Sequence, residues 1–205
     1  MPSNAVSNFG IRLGEIEQLL EAHTALIRLQ RADDALQAGG TSLANIAAVV
    51  SHLVTDPGPG RPKQVQALNK AAIALLSGHL QGFIADIYGE AAEALLDGRV
   101  KSVAAFIKAA PTRGNPNLEN ITKLFATLGF EDILAGMSWQ GFSNQRLKSR
   151  LADFNKLRNE IVHGKSTSVT KDLVNSYLDS WIVFADRLDQ RLRSNIRAIT
   201  GDYPW

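Results

Sequence analysis

Arg158, Asn159 and His163 place three complementary groups in one short stretch, Arg158-Asn159-Glu160-Ile161-Val162-His163-Gly164. A guanidinium grips a phosphate through a rigid fork of N–H donors and keeps its charge at any working pH. An imidazole exchanges protons near neutrality, and a carboxamide can hold either group in place. Together they combine a phosphate binder, an orienting amide and a proton-transfer group. Spacing alone carries no information, because a chain with this many Arg and His residues shows such a pair by chance. On pattern alone, His163 capping its helix and Arg158 pairing with an acidic side chain is the more ordinary reading.

The helix that would carry these residues poses a sharper problem. Taking Leu147 as zero and advancing about 100° per residue, Leu151 falls near about 40°, Phe154 near about −20° and Ile161 near about −40°, a well-defined apolar stripe. Arg158, near about 20°, lies inside it. Burying an unpaired guanidinium is expensive, so a partner from another helix, another subunit or a ligand is expected. Beside the stripe runs a polar wing of Asn155, Asn159 and His163, each four residues from the last. His163 ends the helix, where the macrodipole favours a cation.

Charge is distributed unevenly. Residues 1–138 carry 11 Lys/Arg against 13 Asp/Glu, and residues 139–205 carry 11 against 7, so the basic end is the C-terminal third. Within 144–165 six basic residues (Arg146, Lys148, Arg150, Lys156, Arg158 and Lys165) face only Asp153 and Glu160. That excess could meet phosphate or could be a solvated helix face.

The elements around the motif read as helices. Phe9, Leu13, Ile16, Leu20, His23 and Ile27 recur at helical spacing, predicting a helix from Asn8 to about Ala38 that stops at Gly39-Gly40. A short helix over Leu43–Val54 follows, then an Asp56–Pro62 loop rich in Pro and Gly. A second long helix is expected from Lys63 to Leu96, with Ala71, Ala74, Gly78 and Gly82 letting a neighbouring backbone come close. Val100–Ala109 and Leu118–Leu128 read as shorter helices, the latter capped by Asn117 and closed by Gly129. Ser143 or Asn144 opens the motif helix, which runs to His163 with Gly164 as its stop, and a final helix spans Thr170 to Ile199. No alternating run long enough for a sheet is present. The expected architecture is all-α, an up-and-down helical bundle of about four long helices with short ones between. It reads as one domain over 1–205, residues 1–62 forming an N-terminal part and 63–200 the core bundle.

Composition narrows the chemistry further. The chain has no cysteine, which excludes disulfides, thiolate metal sites and cysteine nucleophiles. His23 and His52 have no His or Glu at metal-ligand spacing, and no metal and no cofactor is expected. Gly58-Pro59-Gly60 lacks the Lys-Ser/Thr of a nucleotide-binding loop. The most apolar stretch, Leu43–Val54, is too short to span a bilayer and the N-terminus lacks the features of a signal peptide, so no membrane association and a cytoplasmic location are expected. His79, among Leu75, Leu76 and Phe83, reads as a structural histidine. Arg187, Arg191, Arg193 and Arg197 either complement the last helix dipole or belong to an RNA-approach surface. Tyr177, Trp181 and Phe184 keep core spacing, and no aromatic–basic interleaving of the RNA-recognition type is evident.

The Arg158–His163 element near the end of the penultimate long helix of an all-α chain resembles the signature of the HEPN superfamily, and Asn159 supplies the polar residue that often follows the Arg. More narrowly, the chain resembles the RiboL-PSP-HEPN family in Leu75 to Phe83, in Gly114-Asn115-Pro116 with Ile121 and Leu124-Phe125, and in Trp139 ahead of the motif, a likeness over roughly 64–200. The resemblance implies a HEPN-type bundle and a metal-independent endoribonuclease, commonly a toxin or phage-defence effector, acting on RNA as a homodimer and in some cases with an antitoxin protein as partner. It implies that Arg158 stabilises the phosphorane, His163 assists proton transfer and Asn159 positions them, with Lys156, Lys165 and Asn155 contacting RNA. Expected products carry 2′,3′-cyclic phosphate and 5′-OH ends. The alternative is a non-catalytic HEPN module for dimerisation, regulation or binding of RNA or a nucleotide.

Overall fold

Ser3 starts the fold's first helix: its Oγ accepts from the Val6 amide at 3.2 Å. In this computed structural model, which describes residues 1–39, 47, 48, 50, 51, 53, 65–111 and 114–205, α1 spans Asn4–Gly39. It begins four residues before the expected Asn8, for a reason sequence periodicity cannot show. The Glu90 carboxylate accepts from the Asn4 and Ala5 amides at 3.1 and 2.6 Å, and Asp189 Oδ1 accepts from the Ser3 amide at 3.1 Å. Two acidic side chains remote in sequence thus satisfy helix-start donors that would otherwise be orphaned. Burial pushes the Glu90 carboxyl above its usual range, with Asp189 and Asp86 adding to this and the amide donors opposing it.

α2 spans Gln66–Leu96, three residues inside the expected start. It is the central helix: Ile73, Leu76, Leu80, Phe83, Ile87 and Tyr88 are all fully buried. Among the described residues it is also the one helix long and apolar enough to cross a membrane by length and composition. Half of its apolar window is buried within the protein. The helix expected at Leu43–Val54 and the Asp56–Pro62 loop lie outside the described residues, apart from isolated positions.

The short helices α3 (Val103–Ala109) and α4 (Leu118–Ala126) lead to α5 (Asn144–Val162) and α6 (Lys171–Thr200). The helix starts follow the sequence: Asn117 Oδ1, Ser143 Oγ and Thr170 Oγ1 accept from Asn120, Arg146 and Leu173 amides. No strand forms among the described residues, and Trp139 and Phe142 make only an isolated bridge. The fold is an all-α, HEPN-like bundle.

Arg12 pairs with Asp86 at 2.8 Å, and Glu15 Oε2 lies 3.2 Å from His79 Nε2, so α1 runs antiparallel to α2. His79 is thereby a packing residue between two helices. Gly78 and Gly82 do not admit a neighbouring backbone as expected. A Cβ at Gly82 would sit 2.7 Å from Arg12 Nη1, a flexible side chain, while Gly78 has nothing within 4 Å.

His23 faces the start of α6, where Lys171 Nζ donates to Thr24 Oγ1 at 2.8 Å. Burial, then the Lys171 charge, holds the His23 imidazole below its ordinary 6.5. The unfolded chain therefore takes up this proton first, so the stability His23 contributes is present above about pH 6.5 and is lost as pH falls through the depressed folded value. Urea midpoints measured from about pH 7.5 to 5 should fall further in the wild type than in His23→Gln. Equal losses would contradict this account.

An aromatic cluster fixes α5 against α6. The Phe154 ring centroid lies 4.8 Å from that of Tyr177 and 5.2 Å from that of Trp181, which in turn lies 5.9 Å from Phe184. Leu147 and Leu151 continue this seam along α5, and all three α5 residues are completely buried.

Candidate active site

Past Phe154 the apolar seam of α5 runs out: Leu157 and Ile161 are only partly buried. Arg158 is therefore half-buried at the end of the core rather than sealed within it. This changes the expected partner. Its Nη1 donates to Oδ1 of the adjacent Asn159 at 3.1 Å, and among the described residues no carboxylate lies within ion-pair distance. A guanidinium has five N–H donors, so most of its binding capacity stays open to a phosphate.

Asn159 is held from a second side. Its Oδ1 also accepts from Asn115 Nδ2 at 3.1 Å. Asn155 is 7% exposed, and its Nδ2 donates to Pro116 O at 3.2 Å and Leu151 O at 2.8 Å. Both amide hydrogens are used within the domain, so Asn155 ties the 114–117 turn to α5 rather than presenting a donor to RNA as expected. Lys156 and Lys165 are exposed.

His163 is exposed and caps α5 at its C-terminal end. Its position follows from Gly164, which takes φ +71°. The Lys165 amide bonds to Glu160 O at 2.9 Å and the Gly164 amide to Ile161 O at 3.1 Å, the paired pattern that closes a helix through a left-handed residue. A Cβ at 164 meets open space but a strained backbone. Gly164→Ala should cost about 1 kcal/mol in urea unfolding; no measurable change would mean that the turn relaxes freely.

Arg158 and His163 are five positions apart, about 7.5 Å along the axis and about 140° around it. The two thus leave α5 in different directions, with Asn159 between them. Among the described residues no group of three His, Cys, Asp or Glu side chains could hold a metal.

The other flank of α5 carries a feature that local sequence patterns hid. Trp139 and Phe142 stack with centroids 4.5 Å apart and planes 3° from parallel, and the Arg146 guanidinium lies 4.9 Å from the Phe142 centroid. Arg150 lies 3.8 Å over the Tyr177 ring and donates to Ser176 Oγ at 2.6 Å. Aromatic and basic groups do interleave here, from positions too scattered for a sequence pattern. Asp172 and Asp179 line the same groove.

The C-terminal arginines have structural work. Arg191 donates to Ile133 O and Ala135 O, holding the turn before α5. Arg193 and Arg197 stack on Tyr203 at 4.5 and 4.1 Å, clasping the tail to α6.

With this geometry in view, comparison with known families gives a match over the region around the motif. Residues 100–194 match the RiboL-PSP-HEPN family. The match takes in α3 to most of α6, with Arg158, Asn159 and His163, and is consistent with a HEPN superfamily member. No curated protein and no solved structure matches the chain. The HEPN match starts later than the likeness expected from about residue 64, so α1 and α2 lie outside it and join the matched helices through packing.

Proposed function

We propose that this HEPN-type chain is an endoribonuclease that cleaves RNA without a metal, leaving 2′,3′-cyclic phosphate and 5′-OH ends. The observation that carries this reading is Arg158. Its guanidinium sits half-buried, held by a neutral amide and free of any carboxylate among the described residues. A purely structural arginine would be expected to spend its charge on an acidic partner, whereas one kept for a phosphate has to leave it unspent.

In the proposed reaction the 2′-oxygen of one nucleotide attacks the adjacent phosphorus and the bond to the 5′-oxygen breaks. One proton leaves the 2′-OH and another is delivered to the departing oxygen. Arg158 offsets the charge gathering on the non-bridging oxygens, and His163 carries one of the two proton transfers. Asn159 positions Arg158. Exposed Lys156 and Lys165 attract the RNA backbone. The divergence of Arg158 and His163 around α5 is resolved if two copies pair their motif helices across one cleft, each phosphate being met by both copies. A homodimer is therefore part of the proposal, as are a role as a toxin or phage-defence effector, an antitoxin partner and a cytoplasmic location.

The test is incubation of RNA oligonucleotides with the purified chain in EDTA, with the ends of the products analysed. Cleavage yielding cyclic phosphate and 5′-OH ends is expected. Absence of cleavage over several RNAs would favour a HEPN module that binds without cutting, and cleavage only with added divalent cation would defeat the mechanism.

A further inference from the structure

The turn before α4 is fastened to the motif helix at two levels, one helical turn apart. At the lower level Asn155 reaches Pro116 O, and at the upper level Asn115 Nδ2 reaches Asn159 Oδ1. The turn is itself stiff. Asn115 O accepts from the Asn117 amide at 2.7 Å and from Asn120 Nδ2 at 2.8 Å, while Asn117 Oδ1 accepts from the Asn120 amide at 2.7 Å. A Cβ at residue 114 would come within 2.6 Å of Asn120 Nδ2, so only glycine leaves this network undisturbed.

Asn159 Oδ1 has two acceptor positions, and Asn115 and Arg158 fill both. An amide held by Asn115 cannot turn its oxygen away from Arg158 without breaking the other bond. We propose that Asn115 is a positioning residue: acting through Asn159, it fixes the direction in which the Arg158 guanidinium approaches the phosphate. This rests on the nuclease reading above. The rival role for the turn, as a nucleobase pocket, does not fit the space. The cavity beside Gln81, Ile84, Asn115, Asn120 and Leu124 measures about 20 Å³, room for a water and far short of a base.

Asn115→Ala, Asn159→Ala and the double variant, each in the full chain, separate positioning from plain support. With an RNA oligonucleotide as substrate, each single change is expected to lower kcat about tenfold while KM holds within about twofold. The double variant should be no slower than Asn159→Ala, because Asn115 acts only through Asn159. Additive losses, or a loss confined to KM, would overturn the proposal. Asn115→Leu, which keeps about the size and loses the donor without adding a charge, provides the same comparison if the alanine variant folds poorly. The Arg158 Nε–H resonance, assigned with Arg158→Lys, gives a readout that does not depend on cleavage. It should shift or broaden in Asn115→Ala while signals from the α1–α2 contact stay fixed, and an unmoved resonance would refute positioning. If the wild type cleaves no RNA, the nuclease reading fails on its own, and this resonance still decides whether Asn115 orders Arg158.

Discussion

Arg158→Ala and His163→Ala are each expected to lower RNA cleavage by about 10²–10⁴-fold, the range for removing a charge-stabilising donor or a proton-transfer group. Both should fold normally. Arg158 makes one side-chain hydrogen bond, to its neighbour, and His163 is exposed at a helix end whose turn is held by main-chain bonds. Thermal unfolding and sedimentation of each variant should therefore match the wild type while activity disappears. The two losses should not add in the double variant, since both groups serve one transition state. Arg158→Lys is informative because it keeps the charge but loses the fork, and it should recover only part of the activity. Wild-type rates in His163→Ala would remove the proton-transfer role and leave Arg158 as a binding residue only.

The second large effect concerns stability. Phe154→Ala is expected to destabilise the chain by about 3–5 kcal/mol, because it empties the centre of the α5–α6 seam without relieving any strain. Phe154 is completely buried and lies against both Tyr177 and Trp181, so neither ring can move inward without giving up its other contacts. Chemical denaturation measures the loss. A change under about 1 kcal/mol would mean that α5 repacks, and would weaken the view that a rigid seam places Arg158 at the edge of the core. Residual activity measured well below the melting transition should fall less than in Arg158→Ala, since Phe154 acts on the helix and not on the phosphate.

The sequence could fix the helices and the identity of the motif. Phe9, Leu13, Ile16 and Leu20 recur on one helical face and are buried, and the seam of Leu147, Leu151 and Phe154 is buried as its angles require. Asn117 and Thr170 cap where short polar side chains ahead of apolar runs should, and Gly164 takes the left-handed conformation its place after His163 suggests. These are local properties, set by neighbours within about one turn, so they can be read from one stretch of chain. The start of α1 could not be read this way, because the groups that satisfy its first amides come from Glu90 and Asp189.

The site shows the same division. Its residue types lie together in sequence, and their resemblance to the HEPN signature was legible before any fold was known. Their environment was not. A helical wheel assigns Arg158 to the buried stripe because it assumes that the core continues along the whole helix. The bundle ends first, so the guanidinium emerges half-exposed with an amide, rather than a carboxylate, beside it. Asn155 moves the opposite way, from an expected RNA contact to a buried tie. Asn115 was visible only as part of a Gly-Asn-Pro turn, and the Trp139, Phe142 and Arg146 stack only as scattered residues. Helical periodicity is a property of the chain with itself, whereas exposure, partnership and charge at Arg158 depend on where other helices stop, which only the assembled bundle decides.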